Sequence, residues 1–153
     1  MKECITDISD VVSMSSMHEF MGKLNIAVDE GHQPSIALLR VLYEGETDVN
    51  ELIKLVGQHL KQASNLENPL NLIPQGAPQI IDSLAAHGSY FALMFQMSDE
   101  QRAREAFQSL RNYLLQQPGL QHGVVDIKAK IATYNPPDPV ESLITAAERA
   151  PLE

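Results

Sequence analysis

At 153 residues, with 44% hydrophobic and 20% charged side chains, the chain has the size and composition of one ordinary globular domain. A net charge of −9 repels phosphate backbones and anionic lipid heads, which argues against nucleic-acid and membrane-surface partners. The lone Cys4 excludes an internal disulfide, and no apolar run approaches the roughly 18 residues of a spanning helix. Trp is absent, so the core must rest on aliphatic residues and Met. The first residues lack the basic and long apolar regions of a signal peptide, and a free thiol suits a reducing compartment. The expectation is one domain over 1–153, soluble and cytoplasmic.

In chain order, residues 1–15 are ambiguous between a short helix and a ragged strand. Ser16 followed by Glu19 forms a capping-box pattern, and Gly31 supplies a stop, so the sequence predicts a helix between them. Its stripe runs Met17, Phe20, Met21, Leu24, Ala27 and Val28. Ser35–Tyr43 reads as a strand that is apolar on both faces except at Arg40. Asp48–Gln62 reads as a helix burying Val49, Leu52, Ile53, Val56 and Leu60.

Residues 63–77 read as a long loop with a short strand at 70–73. Pro78–His87 reads as a short helix between a starting Pro and a terminal Gly88, with a strand at 79–84 as the alternative. Gly88–Met97 alternates as a strand. Ser98 and Gln101 form a second capping box, ahead of a helix over Asp99–Gln116. After the Pro118-Gly119 turn, Val124–Tyr134 alternates again, and Asn135-Pro136-Pro137 ends that strand. Residues 138–153 form a terminal helix or tail.

Alternation divides the strands into two faces. Phe91, Phe95, Ile127, Ala129 and Ile131 belong to a helix-covered core with Ala37, Leu39 and Val41. The other face gathers Arg40, Tyr90, Met94, Lys128, Lys130 and Tyr134, together with Ile36, Leu38, Leu42 and Asp126. On an acidic protein such a face suits an anionic ligand or an acidic partner, a second copy of the chain, or simply solvent. Met14, Met17, Phe20 and Met21 form a soft apolar helical stripe. Core packing explains it most simply, and adaptable partner binding is the functional alternative.

No metal, nucleotide or nucleophile motif occurs, and the five histidines are scattered without ligand spacing, so no cofactor or metal is expected. His87-Gly88-Ser89-Tyr90-Phe91 loosely echoes an RNA-recognition signature. It lacks the first aromatic and hides Phe91 and Phe95 on the core side. The arrangement over 35–134 most resembles the ferredoxin-like topology. That implies an α/β (α+β) open-faced sandwich of three to four strands, with two long helices on one face and an added N-terminal helix. The resemblance is architectural and carries no activity. In bulk properties the chain is similar to small acidic secretion chaperones and regulatory subunits. With no catalytic constellation, an acidic surface and a Met-rich N-terminal helix, the expected function is a non-enzymatic binding, adaptor or regulatory protein, homodimeric and acting through protein contacts. The alternative is a small-ligand sensor or cofactor-free enzyme with a pocket at the sheet face or dimer seam. Dimeric α+β barrel enzymes look similar in the Pro118-Gly119 turn, a generic stop signal.

Overall fold

A computed structural model describes residues 2–45, 48–62, 81–95, 99–120 and 123–153. The expected loop at 63–77, the strand at 70–73 and the cap residue Ser98 lie outside these residues. The described elements are β1 (Lys2–Glu3), a 3-10 turn (Ile8–Asp10), α1 (Met17–Asp29), β2 (Ser35–Tyr43), α2 (Val49–Gln62), β3 (Ser83–His87), β4 (Tyr90–Phe95), α3 (Glu100–Leu115), β5 (Val124–Thr133) and α4 (Val140–Arg149). Five antiparallel strands form one unclosed sheet, so the class is α+β. β5, β2, β4 and β3 lie side by side in that order, and β1 pairs with Leu42 and Tyr43 at the end of β2.

Local chemistry explains the element ends. Ser16 caps α1 by accepting the Glu19 N–H at 3.2 Å. At the other end Gly31 takes φ +88°, which lets the Gly31 and His32 N–H groups reach the Val28 and Ala27 carbonyls. For α3 the cap is Asp99, whose carboxylate accepts the Arg102 N–H at 2.8 Å. The short helix expected to end at His87 is corrected: Ser83–His87 is strand, paired in register with Tyr90–Met94. Gly88, with φ +60°, turns a tight hairpin between His87 and Tyr90 instead of ending a helix. Left-handed glycine serves either role, and so short a segment has too little periodicity to tell them apart.

Each face of the sheet has its own core. On the first, Ala37, Leu39, Val41, Phe91, Leu93, Phe95, Ile127 and Ala129 meet Ile53, Val56 and Leu60 of α2 and Phe107, Leu110 and Leu114 of α3. On the second, Ile36, Leu38, Ala92, Met94 and Tyr134 meet Phe20 and Leu24 of α1 and Val140, Leu143 and Ala147 of α4. The open-faced expectation is thereby corrected, because helices lie on both sides. β2 and β4 present large side chains to both faces, and a single helical layer would leave one of those surfaces in water.

This second layer also decides the fate of the Met stripe. Phe20 is 0% exposed, Met17 and Met21 pack partly buried against the second core, and Met14 packs against the first. Packing within the chain thus accounts for Phe20 fully and for the three methionines in part. At the start of β2 the buried Ser35 hydroxyl lies 2.7 Å from that of Thr133, directly across on β5.

Because Phe20 fills the second core completely, Phe20→Ala should cost about 3–5 kcal/mol by cavity formation. Urea unfolding checks this, and a loss below about 1 kcal/mol would mean that α1 does not close that face.

Candidate functional site

Of the residues assigned to the second face, three converge. The Arg40 guanidinium lies over the Tyr90 ring at 4.0 Å, and the Lys130 ammonium lies over the same ring at 5.5 Å. Arg40 donates to Glu3 Oε2 at 2.9 Å and to Ser89 Oγ at 2.7 Å, while its Nε is buried without a hydrogen-bond partner among the described residues. Lys130 donates to the Glu148 carbonyl at 3.0 Å in the last turn of α4, where the helix dipole favours a cation. Beside them a depression of about 320 Å³ is lined by His87, Gly88, Ser89, Tyr90, Lys130 and Glu148. His87 Nε2 stands 3.6 Å from Glu148 Oε1, a charged pair only when the imidazole is protonated. The cations thus arrive with Glu3 and Glu148 beside them, so the cluster is close to neutral.

The remaining residues of that face are elsewhere. Met94 is 2% exposed and Tyr134 8%, both inside the second core, and the Tyr134 hydroxyl donates to the Asp138 carbonyl at 2.8 Å. Ile36, Leu38 and Met94 are covered by α1 and α4 of the same chain and are not exposed on this face. A further depression, of about 640 Å³, opens between Val28, His32, Gln33, Arg102, Tyr134 and Pro136.

Lys128 belongs to a different place, the outer edge of β5. β5 pairs with β2 along one side only. At its other side the Ala129 N–H and C=O exchange hydrogen bonds of 3.0 Å with the backbone of Glu153, which defines an antiparallel pair. Two residues earlier, Arg111 Nε donates to the Ile127 carbonyl at 3.0 Å and to Asp126 Oδ1 at 2.9 Å. Asp126 in turn accepts the Ile127 N–H at 2.8 Å, so it closes over the edge instead of facing away from α3. The Glu153 carboxylate pairs with Arg104, which also holds Glu100 at 2.9 Å. Together Arg104, Phe107, Gln108, Arg111, Asp126, Lys128, Ile131 and Glu153 line a groove of about 370 Å³. Lys128 makes no hydrogen bond or ion pair with any described residue.

Arg104, Gln108 and Arg111 were legible as one helical face, since their spacing is four and three residues. Glu153 left no sequence signal, because its pairing with Ala129 spans a separation that no local pattern encodes. Among the described residues no cluster of three or more His, Cys, Asp or Glu could hold a metal ion, and no helix is long and apolar enough to cross a membrane. Compared with known proteins, the chain matches no protein-family model and no curated protein.

Burial shifts three groups near these elements, and the Tyr113 hydroxyl is one of them, pushed up by desolvation. Desolvation pushes the buried Cys4 thiol up, against weaker opposing effects of Thr6 and Arg40, which makes it a poor nucleophile at neutral pH. Desolvation also holds His59 below its usual 6.5, only partly opposed by a hydrogen bond with Gln62, and its ring meets Tyr113 edge-on at 6.2 Å. A base depressed in the fold binds fewer protons folded than unfolded, so stability is retained above 6.5 and lost as pH falls below it. Urea midpoints at neutral and mildly acidic pH should therefore diverge more for wild type than for His59→Gln. Equal slopes would show that His59 is not the group responsible.

Proposed function

We propose that this chain is a non-enzymatic binding or regulatory protein that works through protein–protein contact at the outer edge of β5. The observation that carries the reading is the ten-residue edge strand beside a groove with three cations on a chain of net charge −9. The outer edge of a sheet is a template for another backbone, and unlike charge steers a partner toward it. The ferredoxin-like reading of the core is supported by the neighbour order β5, β2, β4, β3 with every pairing antiparallel. A cytoplasmic setting is supported by the free, buried Cys4. For a homodimer, Ile5 (77% exposed) and Ile26 (58%) are, among the described residues, the large apolar side chains a second copy would cover.

The test places a photo-crosslinking amino acid at Gln108, on the groove, and at Asn25, on the exposed side of α1, in cells that make the protein. One discrete protein adduct from position 108 and none from position 25 is the expected result. Adducts from neither position, or equally from both, would remove the reading.

A second reading, an anionic small ligand in the depression beside Tyr90, is favoured by the buried, unpartnered Nε of Arg40. It expects anionic metabolites to raise the melting temperature of wild type but not of Lys130→Met. A flat response across a broad panel counts against it.

A further inference from the structure

The groove at β5 is not empty of chain. After α4 ends at Arg149, residues 150–153 run extended from Ala150 to the outer edge of β5, and Glu153 occupies one position of a missing neighbour strand. Its backbone makes both hydrogen bonds of an antiparallel pair with Ala129, and its carboxylate reaches Arg104. Backbone pairing with one anchored acidic side chain is how an added strand is held and recognised.

We propose that the edge of β5 is a strand-addition site for an extended acidic segment of a partner protein, and that the segment ending in Glu153 occupies it in the free chain. This rests on the reading of the edge as a protein-contact surface and adds the chemistry of the partner. Ala129 and Ile131 have the same parity, so alternation directs the N–H and C=O of Ile131 to the same edge as those of Ala129. An incoming strand can therefore extend the pairing that Glu153 begins.

Side-chain selection follows from the groove. Phe107 and Ile131 are buried apolar residues of the groove, Arg104 holds the carboxylate, and Arg111 and Lys128 line the same groove. Arg111 is already held by Asp126, and Arg104 is shared with Glu100, whereas Lys128 has no described partner. A segment with a second acidic residue would satisfy Lys128, which Glu153 alone does not. That surplus cation is what lets a longer acidic strand displace the internal one.

A second copy of the chain fits less well. Antiparallel pairing of two β5 strands about Ala129 would set Lys128 opposite Lys130, and like charges directly opposed across strands are destabilising.

The experiment uses a fluorescent peptide copying residues 148–153, amidated at its last residue so that the glutamate side chain is the only carboxylate at that end. It is titrated into the full chain and into Glu153→Lys, in which charge reversal opposes docking of the internal segment. A chain lacking residues 151–153 serves as the second opened form. A tethered competitor acts at roughly millimolar effective concentration, so both opened forms should bind the peptide at least about tenfold more tightly than wild type.

Arg104→Glu in the chain lacking residues 151–153 should abolish binding, as should a glutamate-to-lysine change at the last position of the peptide. Amide hydrogen exchange at Ala129 should quicken in the opened forms and slow again with peptide. Equal affinity for closed and opened forms, insensitivity to Arg104→Glu, or no renewed protection at Ala129 would each overturn the inference. Crosslinking at position 108 without peptide binding would overturn it too, while leaving the groove as a contact surface.

Discussion

Strand β2 carries the structure. It is hydrogen-bonded along both edges, and Ile36, Ala37, Leu38, Leu39 and Val41 are buried on alternating faces with almost no exposure. A strand with two apolar faces can be stable only where each face has its own cover, because any face left bare would return several large side chains to water. That demand accounts for α2 and α3 on one side and for α1 and α4 on the other. It also explains why β1, only two residues long, is placed where it is. Beyond Leu39 the β4 edge of β2 is free, and Lys2 and Glu3 take it up next to Leu42 and Tyr43.

The same strand dictates the electrostatics of the neighbouring cluster. Arg40 is its only charged residue and emerges where β4 has ended, so its guanidinium needs partners close at hand. Glu3, Ser89 and the face of Tyr90 supply them. Stacking on an aromatic face suits a weakly hydrated, planar cation better than it would suit an ammonium group. Arg40 therefore ties β1 to the hairpin turn of β3 and β4. The β5 edge is organised differently: one of its cations, Arg104, holds a carboxylate that arrives from far along the chain.

How much of this could be read from the residues depended on the range of the interaction. The strand at Ser35–Tyr43, the α1 cap at Ser16 and the face assignments of Phe91, Leu93 and Met94 follow from local periodicity and capping, which act over a few residues. The Ser83–His87 strand did not, because Pro and Gly around a short apolar piece serve helix and hairpin alike. The second helical layer was visible as separate helices but not as a layer. Nothing in the stripe of Met17, Phe20 and Met21 says whether it meets its own sheet or another protein. Arg40, Tyr90 and Lys130 were placed on one face by alternation, and they do meet. Met94 and Tyr134 share that face by the same rule, yet α1 and α4 cover them. The role of Glu153 depends on a single long-range pairing and was not legible at all.

The hydroxyl pair of Ser35 and Thr133 has a consequence for how the sheet finds its alignment. In most sheets a one-residue slip is punished because polar side chains turn inward, but β2 is apolar on both sides and carries little such information. A slipped pairing between β2 and β5 would separate these two hydroxyls and leave Ser35, fully buried, facing hydrocarbon. Just past the middle of the strand, the same slip would carry Arg40 to the face already filled by α2 and α3. Two polar side chains therefore act as alignment marks, one at the start of a largely apolar strand and one just past its middle, and they specify its register by making the wrong ones costly.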